Sequence, residues 1–326
     1  MTPDPQTADD EGLFVPLVTG GALPDPRLLP DAPVTRFAPA PTGHLHLGHL
    51  VNVLYVWGIA QATGGRVVLR IEDHDRQRSR PEHEWSILED LERLGVGPDE
   101  PPLAEFNGDT PFRQSDAGEI YAAAVERLRA DGLVYACDCA RSTFDRYEAE
   151  RGRPFRGIGC PGDCRSRGLD EAGDVGLRVA LGAGSERWLD LLLGPMAGEP
   201  AAAGDLLVRD RVGNWTYALC VVVDDLRQGI DLVIRGRDLL DATPAQLRLA
   251  VLLGRETPPR FLHHPLIRRV SGQKLSKAEG DTAIRSLLDA GRTPAELFGL
   301  AARLAGTRDS DAPLEPGELG SLFRVP

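Results

Sequence analysis

The chain has 326 residues, 42% of them hydrophobic and 26% charged, with a formal net charge of −12. That is enough chain for one large or two modest domains with buried cores. The acidic balance excludes indiscriminate nucleic-acid binding, which needs a basic surface, but allows local basic patches at Asp75–Arg80, Arg151–Gly157 and Ile267–Lys277.

The first residues, MTPDPQTADDEG, have neither the basic start nor the apolar stretch of a secretory signal. The longest apolar run, Tyr217–Val223, is far too short to cross a bilayer. A cytoplasmic location without membrane contact is expected. The five cysteines are then expected to be reduced or metal-bound rather than paired in disulfides.

Residues 1–33 are rich in Pro, Asp and Gly, show no sustained period and predict a flexible leader. Val34–Ala40 predicts a strand and Pro41–Gly43 a turn. Leu47, Val51, Leu54, Tyr55 and Trp57 give an apolar helical face that "ATGG" ends. Arg66–Asp73 predicts a second strand. Arg80–Gly95 predicts a helix with Trp85, Leu88, Leu91 and Leu94 facing inward and Gly95 as its stop.

A helix around Asp116–Gly132 follows, and then the composition changes. Four of the five cysteines, with many Arg and Gly, crowd between 134 and about 168 and mark a small inserted module, taken as 134–204. Asp205–Cys220 carries a Gly-Asn turn between strand-like runs, a hairpin signal. Asp231–Gly236 predicts a strand, and Asp241–Gly254 a helix with Thr243 as N-cap and Pro244 in its first turn. From 261 come a strand-like run, a Gly/Lys/Ser loop and two short helical runs. The alternation predicts an α/β fold: a Rossmann-like doubly wound parallel sheet in two halves, 34–133 and 205–260. The insert lies between the halves and a short helical subdomain, 261–326, follows.

Three of the seven histidines, His44, His46 and His49, fall within six residues. They read as metal ligands, as a nucleotide site or as packing and surface groups. Gly43 and Gly48 bracket them and an apolar helix follows. Backbone N–H groups at such a helix start attract phosphate. His46 and His49, three apart, face one ligand, and Gly48 lets a flat base approach the backbone. A second signal is "GQKLSKAEGD" (Gly272–Asp281), a glycine-bounded loop with Lys274 and Lys277 around Ser276. Mobile cations of this kind can follow charge developing on a triphosphate.

"HLGH" followed about 225 residues later by "KLSKA" resembles the HIGH and KMSKS signatures of class I aminoacyl-tRNA synthetases. The wider series "RFAPAPTGHLHLGH", "LRIEDHDRQRS", "FRQSD", "YALCVVVDD", "VIRGRDLLDATPAQ" and "KLSKAEGD" resembles, in order, the catalytic domain of glutamyl-tRNA synthetases over roughly 34–305. Only 49 residues follow Lys277, too few for the anticodon-binding domains of the full enzymes. The resemblance is therefore to the truncated paralogue family, the glutamyl-queuosine tRNA(Asp) synthetases. It implies ATP, with Mg²⁺, and L-glutamate as substrates. The acceptor it implies is the queuosine base of tRNA(Asp), and the enzyme is expected to be a monomer.

Carried over residue by residue, Arg36, Ala40, Glu72, Tyr217 and Arg235 would bind glutamate, with Glu72 on the ammonium and Arg235 on a carboxylate. His46, Gly48, His49, Lys274, Ser276 and Lys277 would hold ATP, and His46, His49 and Lys277 would carry the catalysis. Cys137, Cys139, Cys160 and Cys164, as C-x-C…C-x3-C, suit one structural Zn²⁺. The paralogue family usually has Tyr at the place of Cys160. Ala40 stands where the family has Ser, Leu275 where it has Met, and Ala278 where it has the last Ser of KMSKS. Cys220, in an apolar run, is expected in the core. Competing readings are a compact glutamyl-tRNA synthetase charging a 3′ end, a metallohydrolase built on His44, His46 and His49, and a binding module that has lost catalysis.

Overall fold

The computed structural model describes residues 14–16, 22–140, 143, 159–269 and 283–324. Its first half holds β1 (Phe14–Pro16), β2 (Val34–Phe37), α1 (Leu47–Thr63), β3 (Arg66–Leu69), α2 (Pro81–Arg93) and α3 (Gly118–Ala130). Next come β4 (Val134–Cys137), β5 (Gly176–Val179), β6 (Glu186–Asp190), β7 (Gly194–Gly198) and β8 (Leu206–Arg209). The second half adds α4 (Tyr217–Arg227), β9 (Leu232–Gly236), α5 (Thr243–Leu252), β10 (Arg260–His264), β11 (Ile267–Arg269), α6 (Ile284–Asp289) and α7 (Pro294–Ala305).

Two parallel pairs carry the α/β architecture. β2 runs parallel to β3, with α1 as the crossover, and β9 runs parallel to β10. The pairs meet where Asp231 takes the Val34 N–H on its carboxylate and gives its own N–H to the Val34 carbonyl. β6 continues the sheet parallel to β10 and turns back into β7. The stretch read as a single insert thus divides. β6 and β7 extend the central sheet, while β4, β5 and β8 form a separate three-stranded antiparallel sheet beside the cysteines.

α1 is buried almost all round between Leu50 and Ala60, so it is a core helix rather than an amphipathic one. A Cβ on its Gly58 would stand 2.3 Å from the Phe323 ring. Glycine there lets the C-terminal residues close on the helix, and α7, Leu319 and Phe323 join the same apolar core as β2 and β3. Part of the segment read as a flexible leader is also built in. Tyr55 Oη donates to the Ala22 carbonyl at 2.5 Å, Arg260 donates to that of Leu28, and β1 pairs antiparallel with β11.

Two local readings are corrected. Trp85 does not face inward: it is 57% exposed, whereas Ile87, Leu88, Leu91 and Leu94 are buried. At about 100° per residue Trp85 lies about 120° from the middle of that buried arc, and Ile87 rather than Trp85 anchors the face. The run after the Gly-Asn turn is not a strand but helix α4, and only a bridge between Arg209 and Trp215 remains of the hairpin. Its buried residues run unbroken from Leu219 to Asp225, so the apolar run fits a helix buried all round as well as a strand. Among the described residues no helix is long and apolar enough to cross a membrane.

Candidate functional site

One side of the site begins at the start of α1, and the histidines themselves build it. His46 is the N-cap: its Nδ1 accepts the Gly48 N–H at 3.1 Å. His49 reciprocates, its Nδ1 accepting the His46 N–H at 3.1 Å. This is a capping box made of imidazoles in place of the usual Ser and Glu. A backbone N–H can only donate, so in each neutral ring the proton sits on Nε2. The rings lie 3.9 Å apart. A Cβ on Gly48 would come within 2.9 Å of His46 Cε1, so glycine here first makes room for the His46 cap. His44 is not part of this pair; its Nδ1 meets Ser86 Oγ at 2.9 Å and its ring packs on His83.

The opposite wall is a buried ion network at the C-terminal ends of β2, β3 and β9. Arg36 donates to Asp225 Oδ1 and, at 2.8 Å, to the Ile234 carbonyl. Arg70, wholly buried, reaches Glu72 at 3.0 Å, Asp225 at 2.9 Å and Asp224 at 3.5 Å. Burial works to discharge Arg70, but Asp225, Asp224 and Glu72 outweigh it and hold the guanidinium charged above its ordinary range.

Arg235 is held differently. Its Nε donates to His263 Nε2 at 3.0 Å and its Nη1 to Gln246 Oε1 at 2.6 Å. Nη2 donates to Thr243 Oγ1 and the Leu239 carbonyl. All four acceptors are uncharged. Among the described residues no carboxylate pairs with Arg235, and burial, helped by Arg36, pushes its pKa below the ordinary guanidinium range. Four of its five N–H groups are engaged by these acceptors, and Tyr217 is a further hydrogen-bonding neighbour. Thr243 is corrected here as well: it is the first residue of α5, with no side-chain cap bond, and its hydroxyl serves Arg235. Behind Arg235, His263 Nδ1 meets the fully buried Asp190 Oδ2 at 2.6 Å.

These parts enclose a cleft of about 530 Å³. Arg36, Ala40, His46, Gly48, His49, Glu72, Tyr217 and Arg235 all line it. Asn52, His74, Asp238 and His264 line it too. Asn52 Nδ2 donates to His264 Nε2, the His264 Nδ1–H donates to the Pro265 carbonyl, and burial pushes the His264 pKa down to about 4. Burial, then the neighbouring Glu72, raises that of Tyr217. Lys274, Ser276 and Lys277 lie outside the described residues. The two described ends of their loop do reach the cleft: Ile267 lines it, and Ala283 forms a β-bridge with His46.

The four cysteines of the insert come together without any histidine. Cys137, Cys139, Cys160 and Cys164 place their sulfurs within 4.8 Å of one another. The Cys139–Cys164 and Cys139–Cys160 separations are 3.5 and 3.9 Å. A tetrahedron with Zn–S bonds of 2.3 Å has edges of about 3.8 Å, so the donor set fits. Arg178 Nε and the Gly162 N–H point at the sulfurs of Cys137 and Cys160, as donors to thiolates do. Among the described residues this is the one group of three or more His, Cys, Asp or Glu side chains that could hold a metal. Cys220 is buried in the apolar core of α3, α4 and α5, as expected.

Comparison with known proteins agrees with this geometry. The family of tRNA synthetases class I (E and Q), catalytic domain, matches residues 33–312. The glutamyl-Q tRNA(Asp) synthetase of Symbiobacterium thermophilum is 39% identical over 303 residues, 89% of this chain and 93% of that protein. The glutamate–tRNA ligase of Oleidesulfovibrio alaskensis is 38% identical over 83% of this chain but 56% of its own length. The crystal structure of a glutamate tRNA ligase from Elizabethkingia meningosepticum, in complex with its amino acid, superposes with a TM-score of 0.73 at 25% identity, covering 91% of this chain and 65% of that one. The α/β fold with its parallel sheet, the paired histidines and these relatives together show that the chain belongs to the class I tRNA synthetases of the glutamate and glutamine type, alongside the glutamyl-Q tRNA(Asp) synthetases, and is an enzyme of the aminoacyl-tRNA synthetase kind.

Proposed function

We propose that the chain activates L-glutamate with Mg·ATP and transfers it to the queuosine base of tRNA(Asp). The observation that carries the activation step is the cleft itself, in which a cationic wall faces a helix start capped by two histidines. Glutamate brings two carboxylates and one ammonium. Arg235, buried and without an ion-paired carboxylate among the described residues, takes one carboxylate, because a desolvated cation gains most from a charged partner. Arg36 and the backbone to Ala40 border the rest of the amino acid, Glu72 takes the ammonium and Tyr217 closes the pocket. The α-carboxylate then attacks the α-phosphorus of ATP and the bond to pyrophosphate breaks. No protein nucleophile is required; positioning and charge stabilisation do the chemistry. In this reading the Nε2–H groups of His46 and His49, the backbone at Gly48 and Lys274, Ser276 and Lys277 attend the phosphates.

In the second step a hydroxyl of the queuosine cyclopentenediol attacks the carbonyl of glutamyl-adenylate, loses its proton and releases AMP. Support for this acceptor comes from relatives named for it that match over most of both chains. An anticodon-loop base is also the kind of unstacked RNA element that proteins read directly. We take the working unit to be a monomer. We extend the reading to Cys137, Cys139, Cys160 and Cys164 as ligands of one structural Zn²⁺, which would organise a module with little apolar content of its own.

Glutamate-dependent pyrophosphate exchange tests activation, with Lys277→Ala expected to lower it at least tenfold; absence of exchange in the wild type sinks the reading. Transfer of labelled glutamate to tRNA(Asp) with and without queuosine tests the acceptor. Label on both forms, located at the 3′ end, would instead establish the compact glutamyl-tRNA synthetase, a reading favoured by the similarity to the Oleidesulfovibrio alaskensis ligase.

A further inference from the structure

A second concavity, of about 410 Å³, opens beside the cleft. The two are continuous along the chain: Ala40 and Glu72 line the first, and their neighbours Pro41 and Asp73 line the second. Its rim carries Trp85, 57% exposed on the polar side of α2. Arg76 and Arg80 line it and are exposed. Neither has a carboxylate partner among the described residues; the Arg80 side chain bonds only the carbonyls of Gln77 and Ser79. The acids at its edge are already engaged. Glu84 pairs with Arg113 at 2.6 Å, and Asp73 Oδ1 accepts the Ser115 N–H.

An indole face left in water beside two unpaired guanidinium groups, on a protein of net charge −12, is a concentrated feature. We propose that this concavity seats an unpaired nucleotide next to the acceptor nucleoside of the RNA. Trp85 stacks on its base, and Arg76 and Arg80 take the flanking phosphates. Stacking on an aromatic needs no particular base, and phosphate contacts fix register, so the surface holds the loop while the neighbouring nucleoside enters the cleft. This rests on the reading that an RNA loop is the acceptor.

The test uses the full chain and an anticodon stem–loop of tRNA(Asp) carrying queuosine. Its binding is followed by fluorescence anisotropy and its glutamylation by label transfer, with pyrophosphate exchange measured in parallel. Trp85→Ala is expected to raise both the Kd and the KM for the stem–loop by about 5- to 100-fold, with pyrophosphate exchange unchanged. Trp85→Phe restores most of the affinity. Arg76→Gln and Arg80→Gln each flatten the logarithmic salt dependence of binding by about 0.7. A Kd within twofold of wild type in Trp85→Ala overturns the proposal, and so does a change confined to self-association. If the stem–loop binds in a Trp85-dependent way but accepts no glutamate, the surface stands and the acceptor reading falls. If the wild type neither binds nor glutamylates it, both fall.

Discussion

At the level of single residues, Arg235 shows how a buried charge is kept available. A guanidinium surrounded by neutral acceptors keeps its geometry without being neutralised, which leaves its electrostatic demand for an incoming carboxylate. His263 matters most in that shell because it can accept from Arg235 Nε only while its Nδ1–H faces Asp190. Burial lowers the His263 pKa and favours the neutral form that this role requires. His263→Asn, which shortens the acceptor, is expected to raise the KM for glutamate roughly 10- to 100-fold, with little change in the KM for ATP. His263→Gln, which can place an oxygen near the Nε2 position, recovers most of the loss. Equal increases in both KM values would show a general disturbance of the cleft instead. The sequence pointed to Arg235 as a ligand group but not to the hydrogen-bonded chain of His263 and Asp190 behind it. Buried polar partners carry no periodic signature and are recognised only once distant strands are side by side.

At the level of elements, α2 illustrates a cost inside the fold. Asp90 sits on its buried face, with Oδ1 3.4 Å from Arg285 Nε and Oδ2 without a hydrogen-bond partner among the described residues. Burial pushes its pKa up to about 6. A carboxyl whose folded pKa is raised favours the folded state fully below the unfolded value near 3.8. That contribution is lost as pH rises through about 6. Asp90→Asn is therefore expected to stabilise the protein above pH 7 by on the order of 2 kcal/mol and to give no gain near pH 4. Urea unfolding of both proteins at the two pH values checks this, and an equal effect at both would rule out ionisation as the cause. In the same helix, the inward placement of Trp85 from the sequence failed because an aromatic at i,i+3 from Leu88 imitates a core position. Ile87 and Leu94 locate the true face.

At the level of the whole molecule, the central sheet separates the large apolar core around α1 from a smaller one that holds Val68, Val233 and Phe261, a third packs around α3, α4 and α5, and the cysteine module stands outside all three as a small cluster of its own. With a metal joining its four sulfurs, as proposed, its order would depend on that metal more than that of any other described part. Chelation, or Cys137→Ser, is expected to remove about one zinc per chain and to unfold the module, read as protease cleavage between 134 and 175. His46→Ala is expected to abolish pyrophosphate exchange while zinc content stays unchanged. Zinc lost with His46 and kept without Cys137 would reverse the assignment. Ala22 meets α1 through the Tyr55 hydroxyl, and Leu319 and Phe323 close on the same helix at Gly58.

The sequence by itself was sufficient for the class of fold, the family and eight of the residues that line the cleft. Helix and strand periodicity, glycine punctuation and short signatures are local, and each survives translation into structure. It was also sufficient to bring four cysteines forward as one group, because thiolate spacing is a local chemical pattern. Only the tertiary structure decided how those residues act on one another. It showed that His46 and His49 cap each other through Nδ1, that Thr243 holds Arg235 rather than a helix end, and that β6 and β7 complete the central sheet. It also showed that Trp85 is held out in solvent beside two arginines. The physical reason is the same in each case. Burial, hydrogen-bond direction and uncompensated charge are properties of neighbours far apart in the chain, and they come into being only when the chain closes on itself.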